Sequence, residues 1–418
     1  MKKLISLVIV SAIVLSLCLC LTSCGDDSSS GGSTTLYVYN WGEYISDGSE
    51  DSLDVNAAFE EYCKEVLGLN VKVNYSTYAS NEDLYAKLSS GAVSYDVVIP
   101  SDYMVARLAA EGLIREVNPE ENIPNFEYID DDFKGLYYDP QNKFSVPYTY
   151  GTVGVIYNTD LVDEDEENLG SWALMWDEDY AGNILQFNNP RDAFGTAQFY
   201  LGQSVNTEDP EEWRQAIDLL KDQKAVVQGY VMDEIFNKMK GGSAAIASYY
   251  AGDYFTMYAD NDLLSFYYPQ EGTNVFVDAM CIPTSAQNYE LALEYINFML
   301  SEEVAIENAE YICYASPNSL VYENEDYIEY MTEEVHPDAM EILYGYKDLG
   351  IPMEYYFDLP DETRNLMNEL WEELKIESTI GVAIYVICGV IIFALIALLV
   401  SRIVIKKRRQ YYFDKYSK

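Results

Sequence analysis

Residues 36–39 alternate aliphatic and aromatic side chains as a short strand does, and Asn40 to Tyr44 then crowd an amide, two aromatics and a carboxylate into one turn. Four later stretches repeat that design. Residues 97–100 run into Ser101-Asp102-Tyr103, and residues 184–187 into Asn188-Asn189-Pro190-Arg191-Asp192. Residues 244–248 run into Tyr249-Tyr250-Ala251-Gly252-Asp253, and residues 274–276 lead to Asp278. Helical spacing falls between these strands: Leu53, Ala57, Ala58 and Val66 on one face, and Leu84, Ala86 and Leu88 behind a Ser80 capping box. The strand at 96–100 is followed by a helix over 103–111 that Gly112 closes. Residues 118–143 are rich in Asn, Pro, Asp and Tyr, weakly periodic, and read as a surface segment.

A long extended run over 152–157 carries the chain into a second series. It holds a helical stretch at 172–180, a strand at 184–187, a helix from Asp192 to Leu201 and a helix that Pro210 opens. Residues 275–282 are extended and cross back, helices follow at 289–300 and 302–311, and a helix at 362–375 closes the folded body. Strand and helix alternate from the outset, which predicts right-handed parallel crossovers and a doubly wound α/β sheet. In such sheets a ligand lies outside the carboxyl ends of the strands, so five strand ends carrying aromatics with acids or amides describe one site. Those groups suit a ligand that is apolar in the middle and positive at its ends.

Both termini look like membrane signals. Met1-Lys2-Lys3 and the apolar run after them read as a secretory leader, and Leu21-Thr22-Ser23-Cys24-Gly25 resembles a bacterial lipoprotein box with Cys24 as the lipidated residue. The expected order is a leader over 1–23 and a lipidated tether over 24–35. Residues 379–401 form an uncharged run of spanning length, and the basic tail at 402–418 places that end in the cytoplasm.

Of 418 residues, 70 are acidic and 25 basic. Setting aside the leader and tail leaves 16 basic against 69 acidic residues, a net charge of −53 on the body. Such a surface repels nucleic acid and favours cationic ligands. One histidine, His336, is too few for the commoner zinc and Ser-His-Asp arrangements, and no GxxxxGK[ST] loop is present. No cofactor or metal is expected. Cys63, Cys281 and Cys313 match no metal or redox spacing and read as buried free thiols.

The chain resembles the spermidine/putrescine-binding proteins of polyamine ABC importers over residues 36–375. The resemblance rests on Tyr39-Asn40-Trp41-Gly42-Glu43-Tyr44, Tyr75-Ser76-Thr77-Tyr78-Ala79-Ser80-Asn81-Glu82, Tyr95-Asp96-Val97-Val98-Ile99-Pro100-Ser101, Ala251-Gly252-Asp253 and Tyr268-Pro269-Gln270-Glu271-Gly272. It implies an α/β, two-lobed periplasmic-binding-protein-like fold with doubly wound sheets and crossing hinge strands, to which the sequence adds the C-terminal transmembrane helix. The lobes would comprise residues 36–148 with 279–318, and 149–278 with 319–376.

By position, the resemblance makes Trp41 and Tyr44 first-lobe walls with Ser101 and Tyr103 beside them. Asn189 and Asp192 fall where the family has an acidic pair, and Tyr250 where it has a tryptophan. Asp253 matches an ammonium-binding carboxylate, Phe276 replaces another tryptophan, Asp278 matches the central carboxylate and Tyr314 a closing tyrosine. Tyr356 takes a last polar position. The amide at Asn189 favours the shorter dication, putrescine, unless a third charge is met elsewhere.

Taken from the residues alone, Asp253 also fits a turn cap, Asp192 a helix N-terminal charge, and the three acids together a paired-acid hydrolase. Tyr249-Tyr250 also fits a ferric-iron site of phenolates. The implied role is non-enzymatic: a lipoprotein on the extracytoplasmic face that captures a polyamine and presents it to a permease and, through it, an ATPase subunit.

Overall fold

The computed structural model describes residues 33–416. The leader, Cys24 and most of the tether lie outside the described residues.

Strand β1 (Thr34–Trp41) pairs in parallel with β2 (Val71–Tyr78) and with β3 (Val97–Val98). Between them run α1 (Val55–Tyr62), which buries Val55 and Phe59 while the expected face members Ala57 and Val66 are exposed, and α2 (Asn81–Ser90), which buries Leu84 and Leu88 but leaves Ala86 exposed. Ser80 caps α2 as read: its Oγ accepts the Asp83 N–H at 3.1 Å, and Gly91 ends the helix at a φ of 62°. Helix α3 (Asp102–Ala110) follows β3.

Two long strands join this group to the next: β4 (Ser145–Asn158), and β9 (Thr273–Cys281), in which every residue is buried. Between them lie β5 (Ile184–Phe187), α4 (Pro190–Tyr200), α5 (Pro210–Gln223), β6 (Val227–Val231), α6 (Glu234–Lys240), β7 (Ile246–Tyr250), α7 (Ala251–Tyr258) and β8 (Leu264–Tyr267). The strand order is β2-β1-β3-β9-β4-β7-β5-β6. Each outer group is parallel, but β4 and β9 run antiparallel to each other, to β7 and to β3 respectively. The sheet is therefore mixed, because two strands must cross in opposite directions when the chain leaves one group and returns. Helices α8 (Tyr289–Met299) and α9 (Glu302–Ile312) then pack on the first group, and β10 (Met353–Tyr355) adds to β9.

Several expectations change. Residues 118–143 are not a surface segment throughout: short helical turns bury Phe126, Ile129, Phe133 and Tyr138. Single turns of three to five residues are too brief to show periodicity, so their anchoring is invisible in the pattern. Residues 172–180 form two 3-10 turns, Trp172–Trp176 and Glu178–Tyr180, in place of one helix. Strands β6 and β8 and helix α6 were not legible, being only four to seven residues each.

The closing helix, α10, runs from Asp361 to Tyr416. Much of the expected spanning segment at 379–401 falls on side chains outside the described set, and among the described residues no helix is long and apolar enough to cross a membrane. Cys63, Cys281 and Cys313 are buried free thiols.

Candidate functional site

The turn after β1 carries Tyr44 inward. Tyr148 Oη donates to the Tyr44 carbonyl at 2.8 Å, fixing the turn against β4. Tyr44 Oη in turn donates to Asp278 Oδ2 at 2.7 Å and shares a hydrogen bond with Thr149 Oγ1. Asp278 sits within β9, inside the extended run expected over 275–282 and not at a strand end, and Ser101 meets it across a backbone bridge. Its side chain is 4% exposed, and Oδ1 has no hydrogen-bond partner among the described residues. Burial pushes this carboxyl up to about 6, the nearby hydroxyls of Ser101 and Tyr44 oppose that, and the Asp192 charge adds to it.

Asp253 lies in the first turn of α7. Tyr314 Oη donates to its Oδ2 at 2.9 Å, and the Tyr314 ring meets Tyr44 edge-on at 4.7 Å. Asp278, Tyr44, Tyr314 and Asp253 thus form a continuous line with a carboxylate at each end and two rings between. Gly252 makes this possible, since a Cβ there would stand 2.5 Å from Tyr314 Cδ2. Burial raises the Asp253 carboxyl to about 8, with Tyr314 opposing and the charges of Asp233 and Glu43 adding to the shift.

Asp192 holds a third corner. Tyr250 Oη donates to its Oδ2 at 2.7 Å, and the Asn189 amide bonds the same oxygen. Asn189 also caps α4, its Oδ1 accepting the Asp192 N–H at 3.3 Å. The Asn189 amide therefore holds Asp192 in position. Asp192 is a helix N-terminal charge and a cavity group at once.

Aromatic rings complete the walls. Trp41 tilts against Tyr78 at 4.6 Å, Tyr250 meets Phe276 edge-on at 5.5 Å, and Tyr103 meets Tyr356 edge-on at 6.2 Å. All eleven residues singled out from the sequence, with Tyr356, line one cavity of about 700 Å³ including its open mouth.

Arg191, Asp233 and Asn274 line it as well and were not among them. Arg191 lies in the first turn of α4, between two residues of the strand-end motif that drew attention for their acid and amide. Asp233 follows β6, so recognising that short strand would have found it by the strand-end rule. Asn274 carried no distinguishing signal.

Tyr249 also faces the cavity, but the pair does not suit ferric iron. Tyr250 commits its hydroxyl to Asp192, and Tyr249 packs on Phe187 at 5.4 Å. Among the described residues no three His, Cys, Asp or Glu side chains cluster at metal-holding spacing.

The model of the bacterial extracellular solute-binding proteins matches residues 57–333. The chain belongs to that family. Among curated relatives, the spermidine/putrescine-binding periplasmic protein of Escherichia coli strain K12 is 36% identical over 287 residues, covering 68% of this chain and 78% of that protein. The putrescine/cadaverine-binding protein of Pseudomonas aeruginosa is 28% identical over 355 residues, covering 82% and 93%. Among solved structures, the spermidine/putrescine ABC transporter substrate-binding protein of Streptococcus pneumoniae is 30% identical with a TM-score of 0.62, covering 82% of this chain and 99% of that one. A lipoprotein of Treponema pallidum matches at 27% identity and a TM-score of 0.65, covering 81% and 99%. The periplasmic-binding-protein-like α/β fold is thus that of the family, whose members bind solutes. The chain is a binding protein and not an enzyme.

Proposed function

We propose that this chain captures a polyamine, spermidine or putrescine, in the cavity around Asp278 and delivers it unchanged to an ABC permease at the extracytoplasmic face of a membrane. The observation that carries the reading is Asp278 Oδ1, a buried carboxylate oxygen without a partner among the described residues, set between aromatic walls. An ammonium is the group such an oxygen accepts, and the line from Asp278 to Asp253 suits a chain of methylenes with a cation at each end. An ammonium over a Tyr or Trp face gains about 0.5–2 kcal/mol. The names of the relatives agree with this chemistry.

The lobes would be residues 36–148 with 279–318, and 149–278 with 319–376. Tyr44 and Ser101 belong to one, Asp192 and Tyr250 to the other, so a ligand that touches both favours the closed arrangement by its differential affinity. Cys24 in its lipoprotein box supports a lipid anchor, and the uncharged run at 379–401 with its basic flank supports a second attachment that keeps the protein beside its permease.

Titration calorimetry of the full chain with putrescine, spermidine and ferric citrate tests the reading, repeated with Asp278→Asn. Polyamine binding that the substitution abolishes is the expected result; absence of polyamine binding to the unaltered chain overturns it.

A further inference from the structure

The carboxylates of the cavity fall into two groups. Asp278 senses the charge of Asp192 deep inside. Asp253 senses Asp233 and Glu43 instead, and Asp233 senses Glu43 and Glu234. The Tyr44–Tyr314 pair stands between the groups, bonded to Asp278 on one side and to Asp253 on the other.

At the outer group two segments meet. Gly42, in the turn after β1, faces Asp233, in the turn after β6, so closely that a Cβ on Gly42 would collide with Asp233 Oδ2. Glu43 follows in the left-handed region at a φ of 50°, which a glutamate rarely adopts. The turn therefore brings a second carboxylate towards Asp233, and no ion pair satisfies either of them among the described residues.

Four acids line the cavity, Asp192, Asp233, Asp253 and Asp278, against a single base, Arg191. Arg191 is spent elsewhere: its guanidinium donates to the Val205 carbonyl at 3.0 Å, to Asn206 Oδ1 at 3.1 Å and to the Phe357 carbonyl at 3.2 Å. With all four acids ionised, the form an ammonium selects, the lining carries a formal charge of −3. A dication leaves one negative charge uncompensated, whereas a trication balances the set.

Resting on the polyamine reading, we infer that Asp233 is a specificity-determining residue that receives an ammonium at the cavity mouth and selects a triamine over a diamine. Asp278 and Asp253 with the rings between them take the span common to both ligands. Asp233 supplies the further negative group that only the longer, triply charged chain reaches. The acid absent at Asn189 is met here, from a different strand end.

Titration calorimetry with spermidine and putrescine on the full chain, beside Asp233→Asn and Asp233→Glu, tests this. The affinity ratio of spermidine to putrescine is expected to fall about tenfold in Asp233→Asn and to be restored largely by Asp233→Glu, which keeps the charge. An unchanged ratio in Asp233→Asn, whether both affinities fall together or neither moves, overturns the inference while leaving the polyamine reading intact. Absence of binding of either amine to the unaltered chain removes the reading beneath it. Because Asp233 is exposed on the turn, an unchanged melting temperature of both variants confirms that the ratio reports recognition and not unfolding.

Discussion

Tyr44 and Asp278, 234 positions apart in the chain, are joined by a hydrogen bond of 2.7 Å that ties the turn after β1 to the interior of β9. Thr149 of β4 bonds the same hydroxyl, so one phenol links the first strand group to both crossing strands. The bond leaves Asp278 Oδ2 satisfied and Oδ1 open to the cavity.

Tyr44→Phe separates the two roles of this phenol. It keeps the ring against Tyr314 and removes the donor, leaving Asp278 Oδ2 and Thr149 with one partner fewer in a buried setting. A loss of about 1–3 kcal/mol in stability follows from such an unmet group. Chemical denaturation of the ligand-free chain measures it, and calorimetry is expected to show weaker polyamine binding in the same variant.

Asp278→Asn removes the charge at nearly constant shape. Truncating one member of a buried charge pair typically costs about 2–5 kcal/mol, so polyamine affinity is expected to fall by that amount. Retention of full affinity by the variant would move the central ammonium away from this carboxylate.

Binding is expected to strengthen as pH rises. The Asp278 and Asp253 carboxyls titrate at about 6 and about 8 in the folded chain, and only their ionised forms pair with an ammonium. Polyamine affinity therefore climbs across that interval, with protons released on binding within it and the release fading above pH 8. Calorimetry in two buffers of different ionisation enthalpy detects the release, and Asp253→Asn removes the upper part of the climb.

Stability of the ligand-free chain moves the other way. Asp253 has a folded pKa of about 8, above its ordinary 3.8, so the folded state holds a proton that the unfolded state has lost. Its contribution is complete below the ordinary value and lost as pH rises through about 8. The melting temperature of Asp253→Asn relative to the unaltered chain is expected to be higher at pH 8 than at pH 5, and saturating polyamine is expected to narrow the difference.

Gly252→Ala is expected to act through Tyr314. The added methyl meets the ring at 2.5 Å, which displaces the hydroxyl from Asp253 or distorts the start of α7. An overpacked contact of this kind costs about 1–3 kcal/mol. Thermal unfolding and polyamine titration are expected to show both a lower melting temperature and a weaker complex.

The sequence alone determined the units of this protein. The repeated strand-and-turn design, the Ser80 cap and the presence of the helices are local patterns, legible within a dozen residues because each depends on neighbours in the chain, although the first helix buries Val55 and Phe59 and not the face expected of it. Those units already carried Trp41, Tyr44, Ser101, Asp192, Asp253 and Asp278, so the character of the cavity, aromatic with acids, could be read before any fold was known.

The tertiary structure decided which units meet. That β4 and β9 run antiparallel and that Tyr44 reaches Asp278 depend on strand order and direction, which local periodicity does not encode. Asn189 became the holder of Asp192 only through a side-chain bond within the cap. Asp233 entered the cavity because a five-residue strand, too short to show alternation, ends opposite Gly42. Residues 118–143 are anchored because isolated turns bury single aromatics against distant strands, Phe133 against Tyr150 at 4.4 Å among them. Contacts of this range are set by packing of the whole chain, and the free energy that selects them is shared among residues far apart in sequence.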